Sequence, residues 1–288
     1  MTSQCTAAEE FALSDEISGI RLRTRDGTLA EIVRQGAHML RWQPAGHRPV
    51  LWVSNSSWFQ AGKPIRGGIP LCFPWFGPHP SDSSQPAHGL VRLRPWQLKT
   101  AEASAHGDIL DCSLECTEGP FQLEYHVRVG RELKCSLRVH LPKEATEEAT
   151  CEAALHTYLA VSDIRRVQVL GLESVPFIDK VPGQADGNPA GKAIEFTGET
   201  DRIYQSSDHS VSVVDPGWRR VITISKSGSM STVVWNPWID KSRRMPDFGD
   251  DEWTGMLCVE TAAVGSCRLS LSPGDSHTLQ AIIAVRHS

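Results

Sequence analysis

Two short stretches of this chain place an ionisable side chain inside an otherwise apolar strand pattern. In Gly255–Val264, Glu260 ends the run Met256, Leu257, Cys258 and Val259. A carboxylate seldom ends an apolar strand without a partner, because burying its charge is expensive, and Glu260 is therefore the foremost acid or base candidate in the sequence. In Cys151–Leu172, Cys151, Ala153 and Leu155 share one face of a strand, which sets His156 on the other face with Glu152 and Tyr158. Such a histidine is either a hydrogen-bonded core residue or a catalyst. One carboxylate and one imidazole together suffice for general acid–base chemistry, one taking a proton while the other supplies one.

Two further segments carry cationic forks. Ile65–Pro78 reads IRGGIPLCFPWFGP, too rich in glycine and proline for a sheet centre, yet it contains Leu71, Cys72, Phe73, Trp75 and Phe76, which favour burial. A buried irregular loop must find partners for its amides and carbonyls, a cost that chains sustain where a site has to be shaped. It opens with Arg66, which can hold an anion bidentately. Ala87–Trp96, AHGLVRLRPW, adds His88, Arg92 and Arg94. Each arginine taken alone reads equally well as a solvated or ion-paired surface residue. Arg66 precedes Gly67 and Gly68, and Arg92 follows Gly89, so two loops could bring their forks close to one phosphate.

The elements that must position these groups are strands. Phe121, Leu123, Tyr125, Val127 and Val129 alternate with Gln122, Glu124, His126 and Arg128; after Gly130 and Arg131, the residues Leu133 to Leu141 alternate in the same way. This period of two predicts a hairpin with one buried face. Similar runs occupy Ile20–Arg23, Leu29–Val33, Met39–Trp42, Val50–Val53, Ile109–Cys116, Val167–Leu172, Val211–Val214, Val221–Ser225, Thr232–Trp235, Met256–Thr261, Cys267–Leu271 and Thr278–Val285. Many short strands separated by turns predict an all-β fold of sandwiched antiparallel sheets. Only Pro237–Gly255 offers room for a short helix, and strands do not alternate with helices as in a doubly wound or barrel fold. The Gly/Pro-rich stretch Pro182–Gly191 reads as a surface loop within one large domain, since no composition shift marks a boundary.

The 288 residues carry 29 Lys+Arg against 34 Asp+Glu, a formal charge of −5 that opposes a nucleic-acid or polybasic membrane role. No apolar run reaches membrane-spanning length, and MTSQCTAAEE at the start lacks a basic region and an apolar stretch, so a cytoplasmic protein is expected. Eight cysteines without a CxxC pair indicate neither a disulfide framework nor a zinc site. Cys112 and Cys116 alternate with Asp111, Ser113 and Glu115 and read as small apolar residues of a strand face. GNPAGKA, Gly187–Ala193, fails as a phosphate loop because its glycines are too close and Ala193 stands where a hydroxyl should bind magnesium. Asn55-Ser56-Ser57 matches a glycosylation acceptor by coincidence. HExxH, GxSxG and dinucleotide fingerprints are missing, and no cofactor or metal is expected.

RGGIPLCFPWFG, AHGLVR, LHTYLAVSDI with VLGL, the ETDRIY of Glu199–Tyr204, WNPWIDK from Trp235 and MLCVETAAV from Met256 resemble, in order, the signatures of the hexose-6-phosphate mutarotases, or glucose-6-phosphate 1-epimerases, of the aldose 1-epimerase superfamily. Residues 1–20 carry no family signal and read as an extension; 21–288 read as one catalytic domain. The resemblance implies a large antiparallel β-sandwich of the galactose mutarotase-like supersandwich type, with sugar held on its concave sheet. It implies His156 and Glu260 as catalytic residues and Arg66, His88, Arg92 and Asp201 as substrate-binding ones. Some members carry Gln where this chain has Ala87. A monomer acting on a small phosphorylated sugar follows as the expectation.

Three rivals stand beside it. A non-catalytic carbohydrate-binding protein could use the same sandwich. A glycoside hydrolase could pair Asp201 with Glu260, which would leave the arginines without an obvious task. A mutarotase for neutral hexoses would need no pair of anion-binding forks.

Overall fold

Alternation of apolar and polar residues gives each strand one dry and one wet face. The computed structural model describes residues 8–188, 191–205 and 210–288. In Phe121–Val129 the residues Phe121, Leu123, Tyr125, Val127 and Val129 are buried, while Gln122, His126 and Arg128 are exposed. Glu132–His140 pairs with this strand from Val129↔Leu133 to Gln122↔His140, the hairpin expected from the sequence. Both belong to an antiparallel eight-stranded sheet in the order Gln168–Leu170, Val211–Asp215, Arg220–Ser227, Ser276–His287, Glu132–His140, Phe121–Val129, Leu110–Glu118 and Gln97–Ala103.

A seven-stranded sheet faces it, running Phe177–Asp179, Thr200–Gln205, Ser231–Asn236, Met256–Ala263, Ala153–Leu155 and Leu71–Cys72, with Tyr158–Ala160 also paired to Met256–Ala263. Leu123, Leu137 and Ile283 from the first sheet and Leu155, Leu257 and Val259 from the second lie in one hydrophobic core. The all-β antiparallel sandwich is therefore the fold that forms. Ala8–Ala12, Ser18–Arg23, Leu29–Val33 and His38–Gln43 make a separate four-stranded sheet, so part of the 1–20 segment is built into a sheet. Residues 1–7 of that segment, and Pro189 and Ala190 of the 182–191 loop and the Gly187–Ala193 motif, lie outside the described residues.

Val50–Val53, expected as a strand, holds only single bridges, Leu51 to Leu159 and Val53 to Gly67. Its partner changes within two residues, so no ladder can extend. The short helix expected within Pro237–Gly255 is Trp238–Ser242, followed by a 3-10 turn at Glu252–Gly255. Seven cysteines are free among the described residues; Cys112 is buried and Cys116 half-buried on Leu110–Glu118.

Register decides which residues share a face. Asp201, Trp235, Cys258 and Tyr158 form one cross-strand row, and Ile203, Val233 and Glu260 form the next. Directly opposed residues point to the same side of a sheet. The acid of Glu260 thus stands on the same face as Trp235 and Asp201, while Leu257 and Val259 turn into the core. All eight residues of Met256–Ala263 are buried, and Glu260 is the one among them that lines a cavity.

Candidate active site

His156 occupies a break in its strand. The Thr157 amide donates to the Leu155 carbonyl at 2.9 Å, a γ-turn centred on His156, and the His156 amide donates to the Pro70 carbonyl at 3.1 Å. Both flanking strands still pair with Met256–Ala263. The turn brings His156 Nε2 to 3.3 Å from Glu260 Oε1, with His156 6% and Glu260 1% exposed. The imidazole stacks on Tyr158 at 4.8 Å and 12°, and the edges of His88 and Trp235 meet it at 5.3 and 6.3 Å. Glu152, His156 and Tyr158, placed on one face by strand parity, all line the same cavity.

Burial pushes the Glu260 carboxyl well above the usual carboxylate range, and the nearby Asp201 adds to that shift. Burial likewise pushes His156 well below the usual imidazole value, with His88, Arg66 and Arg92 contributing. Both shifts favour neutral groups. Taken together, the two directions set a carboxylic acid beside a neutral imidazole.

Arg66 and Arg92 are placed differently. Arg66 Nε and Nη2 each donate to Asp247 at 3.2 Å, and Nη1 donates to Tyr158 Oη at 3.0 Å. Arg92 Nη2 donates to the Ala87 carbonyl at 2.7 Å, and Arg92 does not line the cavity, although its charge depresses both His88 and His156. Gly67 and Gly68, which follow Arg66, pack against other parts of the backbone. A Cβ at Gly68 would lie 2.3 Å from the Met39 carbonyl oxygen, so these glycines admit the chain's own backbone. His88 accepts the Gly77 amide at Nδ1, 3.3 Å away, and burial followed by the charges of Arg92 and Arg66 pushes it down to about 3. A neutral His88 with Nδ1 engaged carries its proton on Nε2.

The cavity, of about 430 Å³, is lined by Arg66, His88, His156, Asp201 and Glu260. That volume suits a small ligand. Five of the six residues singled out from the sequence thus meet in one place, and Arg92 stands behind them. Hollows of about 460 and 650 Å³ lie elsewhere, against the eight-stranded sheet, and neither contains a buried acid–base pair.

Sequence reasoning did not single out Glu152, Trp235, Lys180, Lys241 or Asp247. Glu152 accepts the Phe76 amide at 2.8 Å and the Gly265 amide at 2.7 Å, tying two loops together at the cavity. Lys241 Nζ lies 2.7 Å from Glu199 Oε1 and 3.6 Å from Asp201 Oδ2. Asp201 itself is shifted upward by burial, against the pull of Lys241. Trp235 and Lys241 belong to the WNPWIDK motif, which could have flagged them; nothing in the sequence pattern singled out Asp247.

The sequence pattern of the family described as Aldose 1-epimerase matches residues 18–284. This chain belongs to the aldose 1-epimerase family. An Escherichia coli K12 protein named "Putative glucose-6-phosphate 1-epimerase" is 37% identical over 261 residues, covering 88% of this chain and 86% of its own. A protein of the same name from Cenchrus ciliaris is 32% identical over 282 residues, covering 93% and 84%. The crystal structure of a Salmonella typhimurium protein described as a "putative mutarotase" superposes with a TM-score of 0.90 at 29% identity, covering 100% of this chain and 96% of that one. The fold is galactose mutarotase-like, and this member of the aldose 1-epimerase family is an epimerase.

Proposed function

We propose that this epimerase interconverts the α and β anomers of a hexose 6-phosphate, glucose 6-phosphate in the first instance, with His156 and Glu260 as its acid–base pair. The observation that carries the reading is the buried 3.3 Å contact between His156 and Glu260 in a cavity that Arg66, Lys180 and Lys241 also line. The relatives' names supply the phosphorylated substrate. A non-catalytic sugar binder is disfavoured, since it has no use for two strongly perturbed groups in contact.

The proton resting on Glu260 crosses to His156 Nε2, leaving a carboxylate as base and an imidazolium as acid. Glu260 takes the proton of the anomeric hydroxyl while His156 protonates the ring oxygen, the bond between the anomeric carbon and that oxygen breaks, and the open aldehyde forms. Rotation about the bond to the aldehyde carbon, followed by reclosure with the two roles exchanged, yields the other anomer. Arg66 and Arg92 supply positive charge for the phosphate, and Asp201 and His88 bind sugar hydroxyls. No cofactor, nucleic acid or membrane takes part.

We read the protein as a cytoplasmic monomer; its free thiols among the described residues suit a reducing compartment. No helix of the described residues is long and apolar enough to cross a membrane. The direct test compares anomerisation rates of purified protein on glucose 6-phosphate and on glucose. The phosphorylated sugar should be used with the higher kcat/KM; equal use would identify a neutral-hexose mutarotase instead.

A further inference from the structure

The period of two that turns Glu260 toward the cavity turns Cys258 to the same face. Cys258 Sγ, a ring nitrogen of His156 and a carboxylate oxygen of Glu260 all lie within 4.8 Å of one another, and all three residues are buried. The 3.3 Å between His156 Nε2 and Glu260 Oε1 is close to the edge of roughly 3.4 Å that follows from tetrahedral zinc with nitrogen and oxygen ligands at about 2.0–2.2 Å. A sulfur ligand at about 2.3 Å needs an edge to nitrogen of roughly 3.6 Å, so the thiol has to close by about 1.2 Å at most. Donor capacity is also unspent: Glu260 Oε2 and His156 Nδ1 are buried without a hydrogen-bond partner among the described residues.

We propose that His156, Cys258 and Glu260 form a thiophilic metal site that captures Zn²⁺, and its analogues Cd²⁺ and Co²⁺, with an open fourth position toward the cavity. Nitrogen, sulfur and carboxylate oxygen are the ligand set that zinc accepts, whereas Mg²⁺ and Ca²⁺ prefer oxygen alone. Cysteine spacing in the sequence gives no sign of such a site, because Cys258 and Glu260 share the strand Met256–Ala263 and the third ligand, His156, reaches them from a distant γ-turn only through the pairing of its flanking strands. The consequence for activity rests on the proposed acid–base reading: a pair held by a metal cannot trade protons, so zinc inhibits this epimerase instead of serving it.

The experiment uses the full chain freed of metal with EDTA. Zinc titration followed by calorimetry, the thiolate-to-cobalt charge-transfer band, and anomerisation of glucose 6-phosphate are read together. One Zn²⁺ should bind per chain and suppress the reaction, EDTA should restore it, and Mg²⁺ should do nothing. Cys258→Ala should weaken zinc binding at least tenfold and abolish the cobalt–sulfur band, while Cys116→Ala should change neither. Should Cys258→Ala not fold, His156→Gln must lower zinc affinity at the same site. Zinc binding that ignores both substitutions, or no binding at all, overturns the metal site and leaves the epimerase reading untouched. Cys258-dependent binding with an undiminished rate keeps the metal site and removes the pair from catalysis.

Discussion

Arg66 grips Asp247 with two parallel hydrogen bonds, Nε to Oδ2 and Nη2 to Oδ1, each 3.2 Å long. The guanidinium is thus oriented before any ligand arrives, and its Nη1 also holds the hydroxyl of Tyr158, whose ring stacks on His156. A charged hydrogen bond contributes about 1.5–3 kcal/mol, so Arg66→Ala should lower kcat/KM for glucose 6-phosphate roughly 10- to 150-fold. Arg92→Ala should act in the same direction through its charge. Glucose should lose less in both variants, and inorganic phosphate should inhibit the wild type more strongly than either. Equal losses on the two sugars would make both arginines structural.

The acid–base pair gives the sharpest kinetic expectation. Replacing His156 by Asn or Glu260 by Gln removes a proton carrier while keeping size and hydrogen-bonding reach. Turnover should fall by about 10² to 10⁴, the usual worth of such a group, with an unchanged circular-dichroism spectrum. A variant that anomerises at a near-normal rate would lose its assigned role.

Stability should move the other way at Glu260. The unfolded chain releases this proton near 4.5, whereas the folded protein keeps it to a higher pH. A raised carboxyl pKa stabilises the fold fully below the unfolded value, and that contribution is lost as pH rises through the folded value. At neutral pH the wild type therefore carries a penalty that Glu260→Gln does not. The variant should melt higher at about pH 7.5, by roughly 2–4 °C for each kcal/mol recovered, and the gap should close near pH 4. A variant that melts lower at both pH values would show that the carboxyl is held ionised by its neighbours.

Much of this was legible in the chain for a physical reason. A strand with one dry face must alternate, so Phe121–Val129 and its partner are visible without a structure, and the parity that put His156 with Glu152 and Tyr158 survives the γ-turn between them. Glu260 is visible because a carboxylate at the end of Met256–Val259 breaks an apolar run. What alternation cannot reveal is which strands become neighbours. The row joining Asp201, Trp235, Cys258 and Tyr158 draws on four separate segments. The clamp of Asp247 on Arg66 is equally invisible, since an acid in a polar loop looks like any solvated residue. The same holds for Gly68, whose conformational freedom is legible in the sequence while the Met39 backbone that it accommodates is not.

Gly89 tests whether the loop that carries His88 and Arg92 is positioned by contact with its own chain. Its φ is +75°, and a Cβ there would lie 1.9 Å from the Phe73 carbonyl oxygen. Gly27, at φ +96°, has nothing within 4 Å of a built Cβ. Both positions share the left-handed penalty of about 1–2 kcal/mol for an L-residue, but only Gly89 adds a backbone clash. Gly89→Ala should therefore lower the melting temperature well beyond Gly27→Ala. It should also reduce kcat/KM on phosphorylated and neutral sugars alike, because Phe73 must retreat and His88, which meets His156 at 5.3 Å, moves with the loop. Matching melting temperatures for the two variants would show that Phe73 yields freely and that this loop does not set the geometry of the site.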